Sequence, residues 1–288
     1  MWLYDERGSA LFDEITRLPE YYPTRREHEI LAANAAEIAI ASGADALVEL
    51  GSGTSEKTRL LLTALDAREM LELFVPFDIS YEVLLASAHA VADEYPSVAV
   101  HAIVGDFERH LEALPGAERR LVAFLGGTIG NLRPDRRARF LSMLARTLTL
   151  EDTFLLGVDL VKARDRLEAA YADAAGVTER FIRNGLESVN RALRADFAQH
   201  RFAYSARWDA RQSWVDIGFH ARSAHTVVLD ELEVEVRFAP GEPLRMEVST
   251  KFQRAELERE LGDAGFAVDR WWTDRCGDFA LLLARRAR

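Results

Sequence analysis

Short apolar runs alternate with longer amphipathic stretches between residues 46 and 161. The apolar runs predict strands at 46–50, 73–77, 98–104, 121–125 and 153–158. Apolar residues at helical spacing predict helices between them, for example at 81–95 and at 134–148, where Pro134 takes a permissive first-turn position. Strands and helices that alternate in this way are typical of a parallel sheet with crossover helices. We therefore expect five βα units in this segment.

The segment before the alternating region follows another pattern. Residues 1–40 predict helices around an aromatic turn at 18–23. Pro19 and Pro23 forbid a continuous helix through this turn, because proline lacks the amide donor that a helix interior needs. We expect the turn to be structured.

The pattern changes again after Asp159, where the alternation stops. Two polar helices are expected between about 164 and 194. A period-two stretch follows, with apolar residues at Leu232, Val234, Val236 and Phe238, so we expect an inserted α+β module. A helix at 254–264 and strands at 266–271 and 279–284 then return to the sheet.

The composition limits the classes of protein to which the chain can belong. Of the 288 residues, 49% are hydrophobic, which is ample for a core, and the net charge of −11 comes without the basic clusters that nucleic-acid binding needs. The single cysteine, Cys276, excludes an internal disulfide framework and predicts a reducing, cytoplasmic setting. We expect no membrane partner, because no apolar run reaches about 18 residues. The seven histidines lack metal-ligand spacing, so no metal is expected.

A glycine turn follows the first predicted strand. Gly51 and Gly53 would let a ligand approach the backbone closely, and the helix that follows offers unpaired amides. A Gly-x-Gly pair by itself is more often only a tight turn. A third glycine, which a dinucleotide fingerprint would require, is replaced by Glu56. The turn therefore favours a cofactor without phosphates.

Two acidic residues end the next two predicted strands. Asp78 could accept hydrogen bonds from ribose hydroxyls, or it could be a helix N-cap. Asp106 could accept from an exocyclic amine beside Phe107, whose ring could stack on adenine, or it could be a turn aspartate. Each alternative is common alone, but three such motifs on three successive strands predict an adenosine site.

The chain resembles the class I S-adenosylmethionine-dependent methyltransferases, and more closely the actinobacterial type of histidine α-N-methyltransferase of the ergothioneine pathway. The segments that carry the resemblance are RLPEYYPTR (17–25), VELGSGTSEKTR (48–59), PFD (76–78), GDF (105–107), TIGN (128–131) and MEVSTKF (246–252). The resemblance implies a Rossmann-like α/β fold with a mostly parallel sheet, one antiparallel strand and an inserted α+β substrate-binding domain. Residues 28–161 and 251–288 would bind S-adenosylmethionine, and residues 1–27 and 162–250 would bind the substrate.

The same resemblance implies site residues. Those that would hold S-adenosylmethionine, which leaves as S-adenosylhomocysteine, are Gly51, Lys57, Asp78, Asp106 and Phe107. From spacing alone, Lys57 is only a solvated helix lysine. Asn131 follows the glycine-rich end of the fourth strand and would orient the amine, although without the resemblance it is equally an asparagine in a turn.

Alternation over residues 244–250 predicts Leu244, Met246 and Val248 on one face of a strand and Arg245, Glu247 and Ser249 on the other. The second face by itself is typical of the wet side of a sheet. By the resemblance, Glu247 and Ser249 instead grip the substrate's imidazole, whose two nitrogens can be engaged from two directions.

Several aromatic residues complete the predicted site by resemblance. Tyr21 would face the imidazole, Tyr171 would bind the carboxylate with Asn131, and Tyr4 and Phe12 would line the amine pocket, with Tyr4 able to take the departing proton. For Tyr22 and Trp208 we expect only core packing.

The resulting hypothesis is a monomeric enzyme that trimethylates the α-amino group of L-histidine. The alternatives are methylation of another amino acid or small amine, and a non-catalytic S-adenosylmethionine-binding protein. The family has a longer segment before Trp2, so we expect a truncated or later start. Gly127 stands where relatives carry serine and Ile217 where many carry methionine, and both affect the shape of the substrate pocket.

Overall fold

The computed structural model describes residues 2–287, which form two compact units. The sheet unit comprises Pro23–Val161 and the residues from Lys251 onward. The inserted unit comprises the residues up to Tyr22 and Lys162–Thr250. Within residues 2–287, no helix is both long enough and apolar enough to cross a bilayer.

The helices are α1 (Glu6–Thr16), α2 (Pro23–Ser42), α3 (Arg59–Asp66), α4 (Tyr81–Glu94), α5 (Pro134–Thr147), α6 (Arg164–Ala169), α7 (Val177–Leu193) and α8 (Arg254–Asp263). The strands are β1 (Ala46–Leu50), β2 (Leu73–Asp78), β3 (Ala99–Val100), β4 (Ile103–Val104), β5 (Arg120–Phe124), β6 (Thr153–Asp159), β7 (Phe202–Asp209), β8 (Trp214–Ala221), β9 (His225–Leu229), β10 (Val234–Phe238), β11 (Pro243–Thr250), β12 (Phe266–Thr273) and β13 (Phe279–Arg286).

The sheet unit is built on one large sheet with the order β12-β13-β6-β5-β1-β2-β3, in which β4 also pairs with β2. Only β13 runs antiparallel to its neighbours, β6 and β12, and the remaining pairs are parallel. The predicted α/β class, with a mostly parallel sheet and one antiparallel strand, is confirmed. Because β1 has β2 on one side and β5 on the other, the carboxyl ends of these strands form the switch point where such sheets bind ligands.

Both faces of this sheet are covered, which explains its continuous apolar runs. Neighbouring residues of β1 enter different cores: Leu47 packs with α2, α3 and α4, whereas Val48 packs with α5 and α8. All five residues of β1 and all five of β5 are buried. The central strands are therefore fixed from both sides, and their ends can place loops accurately.

One predicted strand of the sheet unit was wrong as a single element. The stretch 98–104 forms two short strands, β3 and β4, separated by the exposed residues His101 and Ala102. The amide of His101 still donates to the carbonyl of Phe74, at 2.9 Å, but the pairing with β2 is interrupted there. The other predicted strands and helices of this unit agree with the structure to within two residues at each end.

The sheet unit is interrupted at one place. Leu160 and Phe252 form a parallel bridge, the Val161 amide donates to the Phe252 carbonyl at 3.1 Å, and the Phe252 amide donates to the Asp159 carbonyl at 2.8 Å. The buried Lys251 ammonium pairs with the Asp159 carboxylate at 2.8 Å. The points where the chain leaves and re-enters this unit are thus side by side.

The inserted unit contains α1, α6 and α7 together with two antiparallel sheets, β11-β8-β7 and β9-β10. Asp5 caps α1, because its Oδ1 accepts the amide of Gly8 at 2.8 Å, and the same carboxylate accepts from Asn184 and Ser188 on α7. Strand β10 begins only at Val234, because Leu232 lies in a short 3₁₀ turn. The predicted α+β character of the insertion is confirmed.

The predicted alternation on β11 was wrong in part. Arg245 pairs with Gly218 and Glu247 pairs with Ile217, so Met246 is the extra residue of a β-bulge. Glu247 and Ser249 do share a face, but the bulge moves Arg245 to the opposite face, where it forms an ion pair with Asp216.

The face that carries Glu247 and Ser249 is not a wet one. Their partners on β8, Ile217 and Val215, belong to the apolar core of the inserted unit. Two polar side chains therefore lie on the side of the sheet that faces this core.

Candidate active site

A glycine turn joins the carboxyl ends of β1 and β2 in the sheet unit. The amides of Gly51 and Ser52 donate to the carbonyl of Phe77 at 2.7 and 3.2 Å. Gly51 and Gly53 have φ values of +70° and +51°, which a residue with a Cβ rarely adopts. The amide of Gly53 donates to Oδ2 of Asp78 at 2.9 Å, so the structure brings the predicted cofactor residue Asp78 to the glycine turn.

Asp78 and Asp106 also accept local backbone hydrogen bonds; Asp106 thus behaves as a turn aspartate, whereas the N-cap of α4 is Ser80 and not Asp78. Oδ1 of Asp78 accepts the amide of Ser80, and Oδ1 of Asp106 accepts the amide of Glu108, each at 2.9 Å. A carboxylate has about four acceptor sites, so these bonds leave capacity for a ligand. Both side chains are half-buried at the carboxyl edge of the sheet.

Phe107 lies beside the glycine turn. A Cβ built on Gly51 would be 3.9 Å from the Phe107 ring. The ring is held edge-on by Phe124 and Phe140, with centroid separations of 5.0 and 5.7 Å. The aromatic surface predicted for an adenine is therefore fixed next to the turn.

Lys57 does not extend into solvent, as a simple helix lysine would. Its ammonium pairs with the fully buried carboxylate of Glu27, whose Oε1 accepts the amide of Gly126 at 2.7 Å. These contacts join the segment after β1 to the turn after β5. An ammonium has three donors, so pairing with Glu27 does not use all of them.

Glu49 is a second buried acid near Lys57, with 4% of its surface exposed. Thr58 donates a hydrogen bond to its Oε1. Burial raises the pKa of Glu49 to about 7, although the hydrogen bond from Thr58 and the charge of Lys57 oppose this. Within residues 2–287, the buried hydroxyl of Ser52 has no hydrogen-bond partner.

The turn after β5 leads into a 3₁₀ helix that ends at Asn131, whose side chain is half-buried. Gly126 and Gly127 have φ values of +75° and +67°. A serine at 127 would therefore be strained, and its Cβ would lie 3.5 Å from Phe279. The glycine present here suits its own backbone conformation.

In the inserted unit, the predicted aromatic residues form one cluster. The rings of Tyr21 and Tyr171 meet edge to face, with their centroids 6.1 Å apart. The centroid of the Phe12 ring lies 6.2 Å from that of Tyr21 and 5.6 Å from that of Tyr4. The hydroxyls of Tyr171 and Ser249 lie 2.8 Å apart. The structure thus brings together four predicted aromatic residues and one of the two polar residues of β11.

Tyr204 supports this cluster from β7, because its hydroxyl donates to the main-chain carbonyl of Tyr171 at 2.5 Å. Burial raises the pKa of Tyr204, and the charges of Asp173, Glu179 and Glu247 add to the effect. The hydroxyl therefore stays protonated and remains a donor.

Tyr22 and Trp208 behave as expected for packing residues. Tyr22 is buried in the core of the inserted unit and its hydroxyl accepts from Lys162 at 2.9 Å, while Trp208 is partly buried against that core.

A group of possible metal ligands lies near the end of the chain, where Asp274, Cys276 and Asp278 come within 4.8 Å of one another. The Asp274 oxygens already accept three backbone amides, and Arg26 approaches both aspartates. These contacts explain the closeness of the two aspartates as part of the structure of a turn.

Comparison with known proteins decides the family. Residues 1–286 match the family described as histidine-specific, S-adenosylmethionine-dependent methyltransferases. The chain belongs to this family. It is 53% identical over 285 residues to the histidine N-alpha-methyltransferase of Mycolicibacterium smegmatis, and 51% identical over 285 residues to that of Mycobacterium tuberculosis. Each alignment covers 99% of this chain and 89% of the relative.

Among solved structures, a protein of Pyrococcus horikoshii aligns with a TM-score of 0.51 and 13% sequence identity, over 98% of this chain and all of that one. At this identity, the likeness concerns the fold alone.

The residues at the carboxyl edge of the sheet unit fit S-adenosylmethionine, the methyl donor of this family. The open glycine turn, the Phe107 ring and the acceptors Asp78 and Asp106 suit an adenosine without phosphates.

Sequence reasoning missed Glu27, Glu49 and Tyr204. Glu49 carried a signal, because a charged residue interrupts the otherwise apolar strand 46–50. Glu27 and Tyr204 carried none, since an acid in a helix and a tyrosine in a strand are ordinary there. Their importance comes from tertiary contacts alone.

Proposed function

We propose that this protein transfers methyl groups from S-adenosylmethionine to the α-amino nitrogen of L-histidine, giving the trimethylated product hercynine, the first step of ergothioneine biosynthesis. The family and the two mycobacterial relatives support this reaction. The structural observation that carries the proposal is the placement of Glu247 and Ser249 on the core side of β11, with Ser249 bonded to Tyr171. Polar groups in an apolar setting are expected where a polar ligand is recognised.

The cofactor residues of the proposal are Gly51, Lys57, Asp78, Asp106 and Phe107. S-adenosylmethionine supplies an electrophilic methyl group on a sulfonium. The turn at Gly51 allows close approach to backbone, Phe107 offers a stacking surface, and the two aspartates offer acceptors for hydroxyl and amine groups. Lys57 offers the cation for a carboxylate.

The substrate residues of the inserted unit divide by chemistry. Glu247 and Ser249 bind the imidazole nitrogens, and Tyr21 packs against the ring. Tyr171 donates to the substrate carboxylate, and Phe12 lines the pocket. Because a site built from buried polar groups penalises ligands that leave them unpaired, this set selects histidine over other amino acids.

Methyl transfer requires a neutral amine, and the positioning of that amine is the main catalytic task. An α-amino group has a pKa of about 8 in peptides, so only a minor fraction is neutral at pH 7. Asn131 orients the nitrogen by accepting from it, and Tyr4 takes the departing proton, directly or through water, while its own hydroxyl proton passes to solvent. Aromatic walls tolerate the growing cationic character of the amine, which permits three successive transfers.

The test is to incubate the protein with isotopically labelled S-adenosylmethionine and each of the twenty amino acids, and to read the products by mass. We expect histidine alone to gain three methyl groups. Transfer to another amine would favour a different acceptor, and binding without transfer would favour a non-catalytic protein. A product that stops at one methyl group would contradict the trimethylation step. We also propose a monomer, which light scattering during gel filtration would check.

A further inference from the structure

Glu27, on the first turns of α2, is completely buried, and both of its carboxylate oxygens are engaged. Oε1 accepts the amide of Gly126 at 2.7 Å, and Oε2 pairs with the Lys57 ammonium. A buried carboxylate is costly unless it is paired and hydrogen-bonded, and Glu27 meets both conditions. Glu27 therefore connects the segment after β1, through Lys57, to the turn after β5, through Gly126.

The neighbouring strand leaves room for this carboxylate. A Cβ at Gly157 would lie 2.2 Å from Oε1 of Glu27, so no other residue fits without displacing the acid. Glycine inside a strand weakens that strand and marks a close approach by another group. Gly157 lies within the fully buried β6, and the group that approaches it is the Glu27 carboxylate.

Lys57 has a second acid nearby, because its charge also lowers the pKa of Glu49, while the charge of Glu27 raises it. One ammonium therefore stands close to two buried carboxylates. Only the Glu27 carboxylate pairs directly with the ammonium, and it also holds the Gly126 amide. Lys57 lies in the turn before α3, and the ion pair with Glu27 holds its ammonium in place.

We propose that Glu27 is a positioning residue that holds Lys57 and the Gly126 amide in the places they need when the S-adenosyl ligand binds. Glu27 acts through these two groups and does not itself touch a reacting atom. This inference rests on the proposed function, in which Lys57 contributes to cofactor binding.

The first test compares Glu27→Gln with Asp152→Asn, measuring the affinity for S-adenosylhomocysteine by calorimetry and thermal unfolding in parallel. Asp152, whose carboxylate is as completely buried as that of Glu27, forms an ion pair with Arg120 at the amino ends of β5 and β6 and thus at the opposite edge of the sheet. Glutamine keeps an acceptor for the Gly126 amide but removes the ion pair. We expect Glu27→Gln to weaken binding by about tenfold or more, as for loss of a charged hydrogen bond. Asp152→Asn should lower the unfolding temperature and leave the affinity unchanged.

A double-mutant cycle separates positioning from general destabilisation. If Glu27 acts through Lys57, then Glu27→Gln adds little to the loss of affinity already caused by Lys57→Met. Losses of affinity that add fully would overturn the proposal, and so would an unchanged affinity in a folded Glu27→Gln protein.

The wild-type chain gives a readout that needs no variant. Gly126 is exposed, so its amide should exchange rapidly with solvent unless the Glu27 carboxylate holds it. We expect slow exchange in the ligand-free protein. Exchange at the rate of a free peptide would overturn the proposal even if Glu27→Gln failed to fold. A wild-type chain that bound no S-adenosylhomocysteine would instead contradict the proposed function, so the two failures are distinguishable.

Discussion

The phenolic oxygen of Tyr171 lies 2.8 Å from the hydroxyl oxygen of Ser249, on the side of β11 that faces the apolar core of the inserted unit. The backbone of Tyr171 is held as well, because its carbonyl accepts from Tyr204. The hydrogen bond between the two hydroxyls orients both of them, so they present their oxygens to a ligand in a fixed arrangement.

This shared hydrogen bond predicts coupled effects on substrate binding. We expect Ser249→Ala and Tyr171→Phe each to raise the KM for histidine by roughly three- to tenfold, since each removes about one hydrogen bond from the site. The double variant should be less impaired than the sum of the two changes predicts. Steady-state kinetics at saturating S-adenosylmethionine would measure this, and strictly additive effects would count against a shared role.

The carboxylate of Glu247 should determine affinity for histidine. We expect Glu247→Ala to weaken histidine binding by at least about 2 kcal/mol, because the imidazole loses a charged partner, while S-adenosylhomocysteine binding is unchanged. Calorimetric titration with each ligand measures both. Glu235→Ala, which removes an exposed strand carboxylate on β10, is the matched control and should change neither affinity. An unaltered histidine titration in Glu247→Ala would refute the assignment.

Tyr4 should affect turnover more than binding. If its hydroxyl takes up the departing proton, Tyr4→Phe lowers kcat by roughly a hundredfold, at the lower end of the range for lost acid–base assistance, and leaves the dissociation constant for histidine nearly unchanged. Tyr22→Phe removes a buried hydroxyl that is bonded to Lys162, and serves as the control with normal kcat. Rapid-quench measurement of the first methyl transfer would show the difference, and equal rates for wild type and Tyr4→Phe would exclude the role.

The raised pKa of Glu49 should give the protein an unusual dependence of stability on pH. Its pKa is about 7 in the folded chain against 4.5 for the unperturbed group, so the folded state holds this proton more tightly. The free energy of unfolding should therefore fall as pH rises from about 4.5 to about 7, and this effect should level off above that range. At about 1.4 kcal/mol per pH unit between the two pKa values, the loss reaches about 3 kcal/mol.

Replacement of Glu49 by glutamine tests this dependence. Glu49→Gln keeps an acceptor for Thr58 but cannot ionise, so it should be more stable than wild type at pH 8 and about equally stable at pH 4. Urea unfolding across this pH range would measure the difference. Parallel stability curves for the two proteins would show that Glu49 does not titrate as described.

The sheet unit was accessible from sequence because its signals are local and repeated. Short, mainly apolar runs marked strands such as β1 and β5, and the acid at the end of β2 marked the ligand edge. The break between β3 and β4 was missed, because an exposed histidine and alanine between apolar residues do not reveal that pairing stops there.

The arrangement of the candidate site residues in the inserted unit could not be predicted from local sequence patterns. Because of the bulge at Met246, Arg245 and Glu247 lie on opposite faces of β11, whereas strict alternation would place them on the same face. An alternating sequence does not show where such a one-residue insertion occurs. The resemblance to the family named the residues, whereas the register shows why Glu247 and Ser249 lie against an apolar core. The role of Glu27 could not be predicted from the sequence, because it is visible only in the contacts of its carboxylate with Gly157 and Gly126.

The bridge between Leu160 and Phe252 has a consequence for how such enzymes diversify. The ends of segment 162–250 start from adjacent points that the parent sheet holds with its own hydrogen bonds and with the pair between Asp159 and Lys251. Evolution can therefore lengthen, shorten or exchange the whole segment as a cassette, without rethreading the strands of the sheet unit. With the function proposed above, acceptor choice can drift in one part of the gene while the donor chemistry is inherited intact.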